Sequence, residues 1–295
     1  MRLIYLLIAI VAQCSFGATY YVRTDGNNAN AGTTDSAGGA WLTVQKAATT
    51  MTAGDTVTVK NGRYPEYVTS AANGSAGSLI RFVTESTNAI VGGFDISHQY
   101  IEINGFTLTG TNVGGFDGLI EVQTNASNLI IRNNVLDSPY RAHAQSYRHQ
   151  LLLTKTHPGN VSPTNIYIDG NKFGTVEQIA LSLYGSFHVV TNNTWHSVFD
   201  SVAADGDRDA IRMHASNSRI VNNVVTNWTS IGVGAGHPDI IQTFAIGGQE
   251  STNNIIEGNL FIDCTGTQIG NLEDQDGLGK VGWWTFRSNY WSNVE

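Results

Sequence analysis

The chain has 295 residues, with 16 Lys and Arg against 24 Asp and Glu, 32 Gly, 5 Pro and only 2 Cys. At 41% hydrophobic and 14% charged it is too apolar for a disordered chain, and two cysteines make no disulfide framework. A formal charge of −8 excludes a broad nucleic-acid interface, which needs a basic face, and 27 Asn beside the Gly favour turns and strands over helices.

Met1 to Gly17 reads as a secretory signal. Arg2 is its positive start, Leu3 to Ala12 its apolar run, and Ser15 and Gly17 the small residues before a cut at Ala18. The run is too short to span a bilayer and no second one follows, so no transmembrane segment is expected. The product is expected to be secreted or periplasmic. Lipid anchoring at Cys14 is the alternative, with the bulky Gln13 at its cut site. Cleavage leaves 15 basic against 24 acidic residues, a net −9, and one thiol, Cys264, with no internal disulfide partner.

Residues 18–66 form a unit of their own. Trp41, Val44, Ala48 and Met51 fall on one helical face, and Gly54 ends that helix. Thr56 to Lys60 reads as a strand, and Asn61-Gly62 turns it into Arg63 to Glu66. A short amphipathic helix laid across the first coil would cap the apolar end of a stack.

Residues 67–295 repeat. Seven segments share alternating apolar residues, then Asn or Gly, then more apolar residues; they are marked by Gly105, Asn134, Asn171, Asn193, Asn223, Asn259 and Asn289. Their spacings of 29, 37, 22, 30, 36 and 30 predict a single-domain, all-β parallel β-helix, each coil three short strands with loops of any length at its corners. The Asn is expected to take a left-handed backbone at a sharp bend, and its amide to bond along the stack. An antiparallel sandwich gives no reason to repeat Asn at one phase. The last thirteen residues hold Trp283, Trp284, Tyr290 and Trp291 with no polar closing segment, so a C-terminal cap is not apparent. The chain is expected to be a monomer unless that end pairs.

Tyr20 to Gly26, Trp41 to Ala48 and Gly54 to Glu66 resemble the N-terminal cap of secreted, pectate-lyase-like, right-handed parallel β-helix proteins. The resemblance is close over 19–66 and generic over the repeats. It implies the fold, while lyases, hydrolases, epimerases, phage depolymerases and non-catalytic surface proteins all share it.

The strands preceding the Asn-marked ones should form one sheet along the axis, with rungs beginning at Leu119, Leu151, Ala180, Ala210 and Ile240. With a period of two, Ile120/Val122, Leu181/Leu183 and Ile211/Met213 face inward, and Glu121/Gln123, Ser182/Tyr184, Arg212/His214 and Gln242/Phe244 face outward. Lys155 is a further candidate for that row, although the Leu151-Leu152-Leu153 run leaves its phase open. Aligning Asp209-Ala-Ile-Arg with Asp239-Ile-Ile-Gln sets the two Asp one above the other. Tyr184, Arg212, His214, His237 and Asp239 then make a catalytic patch, with Gln242, Lys155, Arg208 and Phe244 as substrate contacts.

That mixture fits an acidic polysaccharide. A lyase must neutralise a uronate carboxylate and take the proton beside it, tasks for Arg212 and Gln242 and for a His214 or Tyr184 acid–base pair, with Asp239 orienting His237. A C5-epimerase needs the same groups. Asp207 and Asp209 are candidate Ca²⁺ ligands, although the calcium–lysine pattern of one pectate-lyase family is broken, since His214 stands where its Lys would be. Asp207, Asp209 and Asp239 also keep a glycoside hydrolase open, and an inert carbohydrate-binding β-helix is the third reading.

Overall fold

The computed structural model describes residues 17–110, 118–137, 149–153, 162–174, 179–196, 208–228, 238–245, 250–264, 269–274 and 280–294, with backbone only for Arg208, Pro238, Phe244, Ala245 and 269–274. The leader up to residue 16, Lys155, Asp207 and His237 lie outside them.

Each strand pairs in parallel with its counterpart one coil before and one coil after, and the stack is a parallel β-helix. The first face runs through Gly118–Val122, His149–Leu153, Ile179–Ser186, Arg208–Ser216, Pro238–Ala245 and Ile269–Asp274. The second includes Thr164–Asp169, Val189–Thr191, Arg219–Val221 and Ile255–Glu257. Lys172–Phe173, Thr194–His196, Val224–Thr226 and Leu260–Cys264 belong to the third.

Inward residues of successive coils stack into one core, which no coil alone can enclose. Phe94 meets Phe82 and Phe106 edge-on, with centroids 5.8 and 5.2 Å apart, and Phe173 lies flat on Trp195 at 4.7 Å. Each such burial is worth about 1.5–3 kcal/mol. Cys264 is a buried thiol, as expected, and burial pushes its pKa up.

The expected asparagine ladder stands at the corner between the second and third faces. Oδ1 of Asn171 accepts the backbone N–H and the amide of Asn134, both at 3.0 Å. Asn193, Asn223, Asn259 and Asn289 repeat the pattern at 2.8–3.0 Å. Two details differ from the sequence reading. The left-handed backbone belongs to the residue before each ladder position, Asn133, Asn192 and Asn222 with φ of 54–56°. Two demands therefore fall on adjacent residues. Gly105, with φ 90°, is one of those bend residues, so the ladder position in its coil is Phe106, whose N–H bonds Asn134 Oδ1 at 3.0 Å.

The corner between the first and second faces carries a mixed ladder. His188 Nδ1 accepts from the N–H of Ile166 (3.3 Å), Ser218 Oγ from His188 (3.0 Å), and Asn254 Oδ1 from Ser218 (2.9 Å). At the N-terminal end a helix spans Val44–Thr50, buries Val44, Ala47 and Ala48, and packs on the first coil. Thr43 caps it, and Glu66 accepts the N–H groups of Val44 and Gln45 at 2.7 and 2.9 Å. Trp41 precedes this helix and Met51 closes it; Gly54, with φ 95°, shapes the turn that follows and does not end the helix. On the last coil Phe286 and Trp291 occupy inward registers beside Ile256 and Phe261, yet are 42% and 37% exposed. No helix among the described residues is long and apolar enough to cross a membrane.

Candidate functional site

The first face aligns the predicted patch. Its registers put Tyr184 against His214, Ser182 against Arg212, Arg212 against Gln242, and Asp209 against Asp239, with strands about 4.8 Å apart. Leu151 and Leu153 are inward beside Ile120 and Val122, so Leu152 takes the outer position between Glu121 and Ser182. The phase that the leucine run left open is thereby fixed.

The row is outward but not open. Glu121, Ser182, His214 and Gln242 are all buried, and Asp209 and Asp239 are fully so. Tyr184 and Arg212 keep part of their surface. Each buried Asp is held by the residue three positions on. Arg212 donates from Nε and Nη2 to Asp209 Oδ2 (2.6 Å for both), and Gln242 Nε2 donates to Asp239 Oδ2 at 2.8 Å.

These bonds decide what each group can recognise. Gln242 was read as a carboxylate donor. A carboxylate only accepts, so Asp239 fixes the Gln242 amide with its NH₂ inward, and Oε1 is a buried acceptor with no partner among the described residues. An acceptor repels a carboxylate and suits a hydroxyl. Arg212 presents a planar, permanently charged guanidinium, the group type that reads carboxylates.

Tyr184 and His214 form the reactive-looking pair. Their rings stack with centroids 4.7 Å apart at 21°. Burial pushes the Tyr184 hydroxyl up from its ordinary pKa, against the opposing pull of the Arg212 charge, so the phenol stays protonated near neutral pH. At the end of the same strand the buried imidazole of His188 reaches the Tyr184 carbonyl at 2.9 Å. Because His188 Nδ1 accepts a backbone N–H, Nε2 carries the proton and donates. Sequence reading passed over His188. The signal was present in its phase, one residue after a left-handed Phe187, as Ser218 follows Asn217 and Asn254 follows Asn253.

No family model matches the chain, and no curated protein sequence matches it. Solved structures do. An alginate lyase from Paenibacillus sp. str. FPU-7 superposes with a TM-score of 0.52 at 15% identity, over 82% of this chain and 96% of that one. A pectin methylesterase variant in complex with a hexasaccharide matches with a TM-score of 0.52 at 12% identity, over 85% and 80%. These likenesses show the parallel β-helix fold. At such identities the likeness concerns the path of the backbone alone, so chemistry has to be argued from the residues.

The remaining expectations are met unevenly by the geometry. Arg208 and Phe244 lie on the face in the expected strands. Asp209, a candidate calcium ligand, accepts the Arg212 guanidinium on Oδ2. Among the described residues no three His, Cys, Asp or Glu gather as metal ligands. Asp207, the other candidate ligand, lies outside the described residues.

Proposed function

We propose that this chain is a polysaccharide lyase that cleaves a uronate-containing polysaccharide by β-elimination, exported by the Met1–Gly17 segment. The Tyr184–His214 stack beside Arg212 carries the reading. Arg212 neutralises the uronate carboxylate, which acidifies the hydrogen on the adjacent carbon. The His214 imidazole takes that proton, since a tyrosine whose pKa is raised by burial is a donor near neutral pH and not a base. Tyr184, which keeps part of its surface, protonates the departing oxygen. Asp209 and Asp239 hold Arg212 and Gln242 in position.

Epimerisation needs a proton delivered to the opposite face of the same carbon, and both members of the described pair stand on one wall. Glycoside hydrolysis has one observation in its favour: Asp209 and Asp239 sit in register on adjacent rungs, and such an enzyme works with a pair of carboxyl groups. Both are fully buried and already engaged, which counts against them as acid and nucleophile. The test is ultraviolet absorbance from unsaturated uronates, with pectate, alginate, chondroitin, hyaluronate and heparan-type chains as substrates. A rise that Arg212→Ala removes supports the lyase; new reducing ends without absorbance would select the hydrolase.

A further inference from the structure

We infer that Phe187 and Trp283, with Tyr100 in the same row, are sugar-stacking platforms along the corner between the first and second faces. A long polysaccharide lies on them parallel to the axis of the β-helix. The ligand class rests on the lyase reading above, but the platforms use none of the residues which that reading assigns to catalysis.

A column of left-handed residues stands at this corner. The strand registers stack Tyr100, Asn128, Asn165, Phe187, Asn217, Asn253 and Trp283 one coil above another, all with φ of 54–61°. A left-handed backbone crowds Cβ against the following carbonyl, which a short polar Asn tolerates and a bulky ring does not. Neighbouring asparagines also bond through their amides, Asn165 to Asn128 at 2.6 Å and Asn253 to Asn217 at 2.8 Å. An aromatic residue here forgoes both the easy backbone and the amide bond. Burial does not compensate, since Phe187 is 59% exposed and Trp283 is 80% exposed, and Tyr100 keeps part of its surface. Folding gives no reason for rings at these positions, whereas a ligand that covers them does.

The spacing points to the kind of ligand. The aromatics recur at every third rung, about 14 Å apart at about 4.8 Å per rung. One rung is close to the length of a pyranose unit in an extended chain, so successive platforms meet every third sugar. A pyranose offers an apolar C–H face to an aromatic ring, and its rim hydroxyls suit the amide pairs between platforms. Rings separated by two polar rungs make no continuous apolar patch of the kind a protein partner needs. Phe187 directly follows the strand of Tyr184, and the row from there to Trp283 passes the coils of His214 and Gln242. A chain held on it therefore runs along the edge of the candidate site.

The test is retention of the full chain in native gels cast with pectate, alginate, chondroitin, hyaluronate or heparan-type chains, with neutral xylan alongside. Phe187→Asn and Trp283→Asn install the column's own residue. Each should weaken retention on the best-bound polymer by about 10-fold, and the double variant by about 100-fold, since sites this far apart act additively. Neither should lower the urea midpoint, as it would if the rings served the fold. The polymer should shift the tryptophan emission of the natural chain to the blue, and Trp283→Asn should lose that shift. Unchanged retention in both variants, or no retention by any polymer, would overturn the platforms. A dimer in sedimentation that either variant disperses would overturn them too, in favour of a second copy on the rings. Retention by xylan alone would keep the platforms and overturn the uronate class. Ultraviolet absorbance on the retained polymer separates the two claims: retention without it supports the platforms and counts against the lyase, and absorbance with unchanged retention in the variants does the reverse.

Discussion

Lowering the pH from 7 to 4 should destabilise this protein through one side chain, His188. Its imidazole is fully buried, with Nδ1 accepting from Ile166 N–H and Nε2–H donating to the Tyr184 carbonyl. Burial holds its pKa at about 4, against 6.5 for a free imidazole. Since the folded value is depressed, the unfolded chain takes up the proton first as pH falls. The neutral ring's contribution is therefore intact above pH 6.5 and is lost progressively down to about pH 4. At 1.36 kcal/mol per pH unit the gap amounts to about 3 kcal/mol, a large part of a typical net stability of ~5–15 kcal/mol. The comparison is urea unfolding of the natural chain and of His188→Asn at pH steps between 7.5 and 4, since Asn254 already serves as the acceptor at this corner two coils on. The variant should be weaker at neutral pH by about 1–3 kcal/mol, because the Tyr184 carbonyl loses its donor. Its stability should then fall less steeply with acid, so that the two curves approach each other near pH 4. Parallel curves would refute the assignment of the acid sensitivity to His188.

Other outcomes follow from the same geometry. Asn193→Ala removes the acceptor of Asn171 N–H (2.8 Å) and the donor to the Ile168 carbonyl (2.9 Å) inside the stack, and should cost about 2–5 kcal/mol in urea unfolding. Asn193→Asp keeps the acceptor alone and should not restore full stability. Trp195→Ala breaks the flat stack on Phe173 and should cost about 3–5 kcal/mol by the same measurement. With Tyr184 acting as a proton donor whose pKa is raised by burial, the alkaline limb of kcat/KM should lie above pH 10, and a limb well below that would remove Tyr184 from the role.

The coil period and the first-face register were legible because they rest on periodicities that the backbone enforces. Asn at one phase gave the ladder, and the Asp209/Asp239 alignment gave the register of the site strands. The bend and the ladder were merged into one residue because Asn satisfies either demand; only the backbone angles separate Asn192 from Asn193. Which way Gln242 turns was not legible either, since it depends on a carboxylate three residues back, Asp239, that a period of two sets on the opposite face. The burial of His214 and Glu121 also escaped the two-residue period, which separates the two faces of a strand and says nothing of what covers them. His188 was missed because a histidine beside an exposed Phe187 reads as surface, and its burial appears only once the corners are stacked.

Cleavage in heavy-oxygen water tests the central claim most directly. The polymer that the chain degrades fastest would be digested and the new ends weighed by mass spectrometry. β-Elimination at Arg212, His214 and Tyr184 takes no oxygen from water, so every new non-reducing end should be an unsaturated uronate and no fragment should carry the label. One heavy oxygen per cleavage, with saturated ends, would mean hydrolysis and would contradict the account.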